Sequence, residues 1–144
     1  MDDLKFDDDL YEAIELMYRA YRSFTTKPDR ILEKRGLNRA HHRILYFVGK
    51  IPDLSINDLL QELAISKQAL HTPLSQLIAM GLIVRKKSTR DGRVKMLRLS
   101  ATGKRLETRL TGVQSEQLKQ VFEQAGCDAE DAWRLVMRGL QNTI

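Results

Sequence analysis

Apolar residues along this chain recur first at helical spacing, then at a spacing of two, then at helical spacing again. Leu10, Ile14, Met17, Tyr18 and Tyr21 fall at i, i+4, i+7, i+8 and i+11, which predicts an amphipathic helix over about 8–26. Pro28 is expected to end it, with a further helical turn over 29–35 and a stop at Gly36. Asn38 can cap a second helix bearing Ala40, Ile44, Leu45, Phe47 and Val48, which Gly49 and Pro52 interrupt. Ser55 can cap a third, with Asp58 in its first turn and Leu59, Leu60 and Leu63 inward. After the short Ala64-Ile65 link, Ser66 can cap a fourth helix that runs to about Met80, where Gly81 stops it. Two helices joined so tightly make a helix-turn-helix.

Beyond Gly81 the period drops to two. Leu82, Val84, Val94, Leu97 and Leu99 alternate with charged residues around a polar turn over 88–92 that carries Asp91-Gly92, which predicts a hairpin of roughly 82–88 and 94–100. Ser100 then caps a long helix with Leu106, Leu110, Val113, Leu118, Val121 and Phe122 as its stripe. Gly126 breaks that helix, and Asp128 is expected to cap a last one bearing Trp133, Val136, Met137 and Leu140. The class is mainly α with one small β-hairpin, in a single domain over 1–144: 144 residues suffice for one core and are too few for an ordinary pair.

The fourth helix has chemistry on one side. On a wheel of about 100° per residue, Lys67, Gln68, His71, Thr72 and Ser75 fall within about 140° of one another, opposite Ala69, Leu70, Pro73, Leu74 and Leu77. Such a face suits the DNA major groove, where lysine can donate to guanine, glutamine can pair with adenine, and serine or threonine can bond base edges or phosphate. Any surface helix has a polar side, so the face gains meaning only from the hairpin that succeeds it in the chain. Arg85, Lys86, Lys87, Arg90, Arg93 and Lys95 all lie on that hairpin, and ten of the 24 basic residues fall between positions 81 and 109 with two acids among them. A net charge of +5 gathered in this way points to a polyanion, because each cation that replaces a condensed counterion gains mixing entropy. An arginine at a hairpin tip can also enter a narrow minor groove.

From Leu37 to Gly103 the sequence resembles the multiple antibiotic resistance regulator (MarR) family. The residues that carry the likeness are Leu37-Asn38, Leu59 to Leu63, Ser66-Lys67-Gln68-Ala69, Gly81-Leu82-Ile83-Val84-Arg85, Asp91-Gly92-Arg93 and Leu99-Ser100-Ala101-Thr102-Gly103. The resemblance implies a winged helix-turn-helix over 37–100, flanked by dimerisation helices over 8–36 and 101–144. It implies a homodimer on a palindromic operator that regulates transcription, with a repressor favoured over an activator. Ser66, Lys67, Gln68, His71 and Thr72 would then face the major groove, with Arg93 in the minor groove and Asp91 orienting it by an ion pair; the alternative for Asp91 is a turn former that touches no DNA. Pro73, inside the presumed reading helix, and His41, where the family often has glutamine, depart from the pattern.

The resemblance also implies a ligand cleft between the dimerisation helices and the reading domain, often used for small aromatic acids. Tyr18, Tyr21, Arg22, His42 and Tyr46 could line it, with ordinary aromatic core as the alternative for each tyrosine. Three histidines without acidic or cysteine partners at ligand spacing predict no metal site and no cofactor. No nucleophile–base pair or phosphate loop suggests an enzyme. A winged-helix interaction module that does not read DNA is the alternative function, with Pro73 as its motive. The acidic start of the chain, the lack of a long apolar run and the single Cys127 predict a cytoplasmic protein away from the membrane. Cys127 could sense oxidants, but its neighbours Asp128, Glu130 and Asp131 disfavour a thiolate.

Overall fold

A computed structural model describes residues 8–88 and 90–143. Asp2, Asp3 and Asp7 of the acidic start, and Thr89 of the hairpin turn, lie outside the described residues. The elements run α1 (Asp8–Glu33), α2 (Arg39–Lys50), β1 (Leu54–Ser55), α3 (Ile56–Leu63), α4 (Lys67–Ala79), β2 (Ile83–Lys87), β3 (Lys95–Leu99), α5 (Ala101–Ala125) and α6 (Cys127–Gln141). The strands form one antiparallel sheet in the order β1-β3-β2, with Leu54 opposite Leu97 and Ile83 opposite Leu99. This is a winged helix-turn-helix, mainly helical with a small sheet.

Local chemistry explains the boundaries. Asn38, Ser55, Ser66 and Ser100 each precede a helix and accept a backbone N–H with the side chain, from Ala40, Asp58, Ala69 and Gly103 respectively. His41 completes a capping box on α2, its Nδ1 accepting the Asn38 N–H at 3.0 Å. Three helices end in the same way: a residue one to three positions past the end takes a positive φ (Gly36 at 71°, Ala64 at 53°, Gly81 at 72°) and the next N–H reaches back to a carbonyl five residues earlier. At Ala64 that turn links α3 to α4, the two helices of the helix-turn-helix.

Three sequence expectations need correcting. Pro28 does not end α1; the helix continues through it to Glu33 with Pro28 buried. Proline cannot donate to the carbonyl of Phe24, and that oxygen instead accepts from Gln114 Nε2 of α5 at 3.3 Å. Packing between distant parts of the chain thus replaces the missing helical bond. In the hairpin Ile83, not Val84, faces the core; strand alternation turns Val84 to the other side of the sheet, and Val84 and Val94 are both exposed. Finally, α6 starts at Cys127 behind Gly126, with no side-chain cap from Asp128.

The buried core comprises Leu32, Leu37, Ile44, Leu45, Val48, Leu54, Leu59, Leu70, Leu74, Leu77, Leu82, Ile83, Leu97, Leu106 and Leu110. It therefore spans the end of α1 to the third turn of α5, somewhat wider than 37–100. No residue of α6 is buried, and the first four turns of α1 are exposed throughout. Thr25, Pro28 and Leu32 are the buried face of α1; continued at helical spacing toward the N-terminus, that face becomes Tyr21, Tyr18, Met17, Ile14 and Leu10, which the chain leaves uncovered. Among the described residues no helix is long and apolar enough to cross a membrane.

Candidate nucleic-acid interface

The sequence of α4 divides it cleanly. Leu70, Leu74 and Leu77 are buried, while Ser66, Lys67, Gln68, His71, Thr72 and Ser75 are all exposed. Pro73 leaves the helix unbroken from Lys67 to Ala79; the carbonyl it fails to serve belongs to Ala69, an exposed residue whose turn water can reach. Pro73 thus does not interrupt the polar face. Gly81 then turns the chain directly into β2, so the polar face and the hairpin belong to one packed unit.

The hairpin carries Arg85, Lys86, Lys87, Arg90 and Arg93 exposed, with Lys95 half-buried. Its tip is ordered by short-range bonds. Ser88 N–H donates to Val94 O at 2.9 Å and Val94 N–H to Asp91 O at 3.0 Å, while Ser88 Oγ accepts from the N–H groups of Arg90 and Asp91. Asp91 Oδ1 accepts the N–H of Arg93 at 3.0 Å. Among the described residues no ion pair joins the Asp91 and Arg93 side chains, so here Asp91 shapes the turn that presents Arg93. Arg98, by contrast, is tied to Asp53 at the base of the sheet, and that hydrogen bond holds the Asp53 carboxyl below its ordinary pKa.

The three histidines separate. His71 is exposed on α4, whereas His41 is buried and its Nε2 lies 2.6 Å from Gln76 Oε1 near the end of α4. His42 Nε2 meets Thr111 Oγ1 of α5 at 3.2 Å. His42 belongs to the wall of a half-open cleft of about 440 Å³ between α1, α2 and α5. Tyr21 and Tyr46 also line it; Tyr18 and Arg22 do not. Two lining cations were missed in the sequence, Arg39 and Arg43, though both sit at i±3 or i±4 from His42 or Tyr46 on α2 and share their side of the helix. Arg39 is held by Asp29 at 2.8 Å and stacks over the Tyr21 ring, and that carboxylate raises its pKa further. Arg43 donates to the Tyr21 hydroxyl at 2.6 Å.

Burial pushes the His42 pKa below its ordinary 6.5; Asp29 opposes the shift and Arg43 reinforces it. The fold therefore prefers the neutral ring, while the unfolded chain takes up the proton at higher pH. The resulting stability is complete above about pH 6.5 and is lost as pH falls through the depressed folded value. Melting temperatures recorded from pH 8 to pH 5 should fall on acidification, and less steeply in His42→Gln. Equal slopes in the two proteins would show that His42 does not contribute.

The family model described as "MarR family" matches residues 35–94. The HTH-type transcriptional regulator PetP of Rhodobacter capsulatus is 35% identical over 136 residues, which cover 94% of this chain and 82% of that protein. The chain belongs to the MarR family of transcription regulators. Solved structures share the fold at lower identity. A MarR family transcription regulator superposes with a TM-score of 0.78 at 21% identity, covering 93% of this chain and 89% of its own. MepR of S. aureus in a DNA complex gives 0.73 at 18% identity, with coverage of 90% and 96%. NadR in complex with 4-hydroxyphenylacetate gives 0.72 at 23% identity, with coverage of 89% and 91%.

Proposed function

We propose that this MarR-family chain is a homodimeric regulator that reads double-stranded DNA through α4 and the β2–β3 hairpin and represses transcription until a small anionic ligand fills the cavity between α1, α2 and α5. The observation that carries the reading is the division of α4: every hydrogen-bonding residue from Ser66 to Ser75 named above is exposed, while the leucines between them are buried. Lys67 and Gln68 in the first turn would meet base edges, His71, Thr72 and Ser75 would extend the contact, and Arg93 would enter the minor groove. Arg85, Lys86, Lys87, Arg90 and Lys95 would hold phosphates. The complex of MepR with DNA supports this use of the shared fold.

The uncovered stripe of α1 and the bare face of α6 support dimerisation, and a two-fold pair would place its reading helices one helical turn of DNA apart. For the ligand, Arg43 and the Tyr21 hydroxyl supply donors within an aromatic wall. The bound 4-hydroxyphenylacetate in NadR, an aromatic acid, is the class that such a wall would take.

Selection of bound duplexes from a random pool should enrich a symmetric site of half-sites about 10 base pairs apart. Affinity for it should fall steeply with salt. Arg93→Ala removes one arginine from each subunit and should weaken binding by at least about tenfold and lower the log–log salt slope by about two, with an unchanged melting temperature. A purified chain that binds no duplex even at low salt would overturn the reading.

A further inference from the structure

We propose that His41 is a positioning residue for base readout: it sets the rotation of α4 against α2 through its bond to Gln76. This rests on the DNA-reading function proposed above. His41 is 4% exposed, and both ring nitrogens are engaged. Nδ1 accepts the Asn38 N–H at 3.0 Å, so in the neutral ring the proton lies on Nε2, which donates to Gln76 Oε1 at 2.6 Å. The Asn38 bond fixes the ring on the first turn of α2, and the Gln76 bond carries that fixed point to α4, 35 residues away.

Elsewhere α4 meets the domain through Leu70, Leu74 and Leu77. Leucine packing resists separation but has little directional preference, so it tolerates a small roll of the helix. A hydrogen bond loses strength steeply with distance and angle, and therefore selects one rotation. With side chains about 5 Å from the helix axis, a roll of about 20° moves their tips by nearly 2 Å. That is enough to spoil a bidentate contact to a base yet leaves a lysine or arginine within reach of a phosphate. His41 should accordingly matter for sequence discrimination and little for general affinity. Its neighbours Arg39, His42 and Arg43 line the cavity, so the first turn of α2 holds the cavity wall on one side and the register of α4 on the other.

The test uses the whole chain, the duplex it selects and a random duplex of equal length, with affinities and melting temperatures measured for each variant. His41→Leu and Gln76→Ala should each weaken binding to the selected duplex about tenfold and change binding to the random duplex less than twofold. The double variant should be no worse than either single one, because the two residues act through one bond. His41→Gln should come within twofold of wild type, since its carbonyl can accept the Asn38 N–H and its amide can donate to Gln76. Nitrogen-15 spectra of the wild-type imidazoles should contain an Nε2-protonated signal that is missing in His41→Leu and retained in His42→Gln. Should Gln76→Ala leave discrimination intact, or should either variant weaken both duplexes equally, the inference is overturned while DNA reading stands. Should the wild type enrich no sequence at all, DNA reading itself fails, and the inference fails with it.

Discussion

Gly103→Ala should lose about 3 kcal/mol or more of folding stability, among the largest effects of any single methyl group in this chain. A Cβ built on Gly103 would stand 2.0 Å from the carbonyl oxygen of Leu82 and 3.0 Å from its carbon. An ordinary C···O contact is about 3.3 Å or longer. The obstructing atoms are backbone, so no side chain can rotate away; α5 would have to lift from the loop between α4 and β2. That loop is where α5 is anchored. Ser100 Oγ donates to Gly81 O at 2.5 Å, Ser100 N–H donates to Leu82 O at 3.0 Å, and Gly103 N–H donates to Ser100 Oγ at 3.0 Å. Lifting the helix stretches the two bonds that reach Gly81 and Leu82, in a domain whose whole stability is of the order of 5–15 kcal/mol. Gly112→Ala in the same helix meets nothing within 4 Å and should be neutral or stabilising by up to about 1 kcal/mol. Urea unfolding of the two variants decides the matter; equal costs would mean that close approach to Leu82 is not what requires glycine at position 103.

That contact also shows what could be read without coordinates. The run Leu99-Ser100-Ala101-Thr102-Gly103 carries a family resemblance, and its physical content is a serine cap plus a glycine that lets a helix rest on a carbonyl. Caps were legible because each is a polar side chain within three residues of the N–H it serves: Asn38, Ser55, Ser66 and Ser100 all needed only local sequence. The two faces of α4 were legible for the same reason, helical period being a local property. What escaped is non-local. Pro28 stays helical because Gln114 serves the carbonyl of Phe24, a partner 90 positions away. The two-residue strand β1 exists only through its pairing with β3. Arg39 and Arg43 become cavity residues only when α1 and α5 close over α2, and a period of 3.6 within α2 does not tell which of its sides they cover. The base of the hairpin shows the same limit, since Arg98 reads as one more cation of the basic run until Asp53 is seen to hold it.

The uncovered face of α1 yields the second large effect. Ile14→Glu/Met17→Glu should convert the protein to a monomer and weaken binding to the selected duplex at least a hundredfold, while helical content stays unchanged. Ile14 and Met17 are 49% and 45% exposed in the isolated chain, on the face that continues from the buried Thr25, Pro28 and Leu32. Apolar area removed from water is worth about 25 cal/mol per Å², so a stripe of five large side chains gains most of its worth from a partner. Charges placed in its middle would have to be buried unpaired, which costs far more than leaving them in water. The loss of DNA affinity follows from linkage of the two half-sites. In a dimer, binding of one reading helix holds the other near its site at high effective concentration, an advantage of about 100- to 10,000-fold that a monomer forfeits. Arg19→Glu is the control, because it changes the net charge by the same two units on an exposed turn of the opposite side of α1. It should leave both the association state and the affinity for the selected duplex close to wild type. Sedimentation at about 100 μM reads the first quantity and anisotropy the second. A wild-type chain that sediments as a monomer there, or a double-glutamate variant that remains a dimer, would place the partner of this face somewhere other than a second copy.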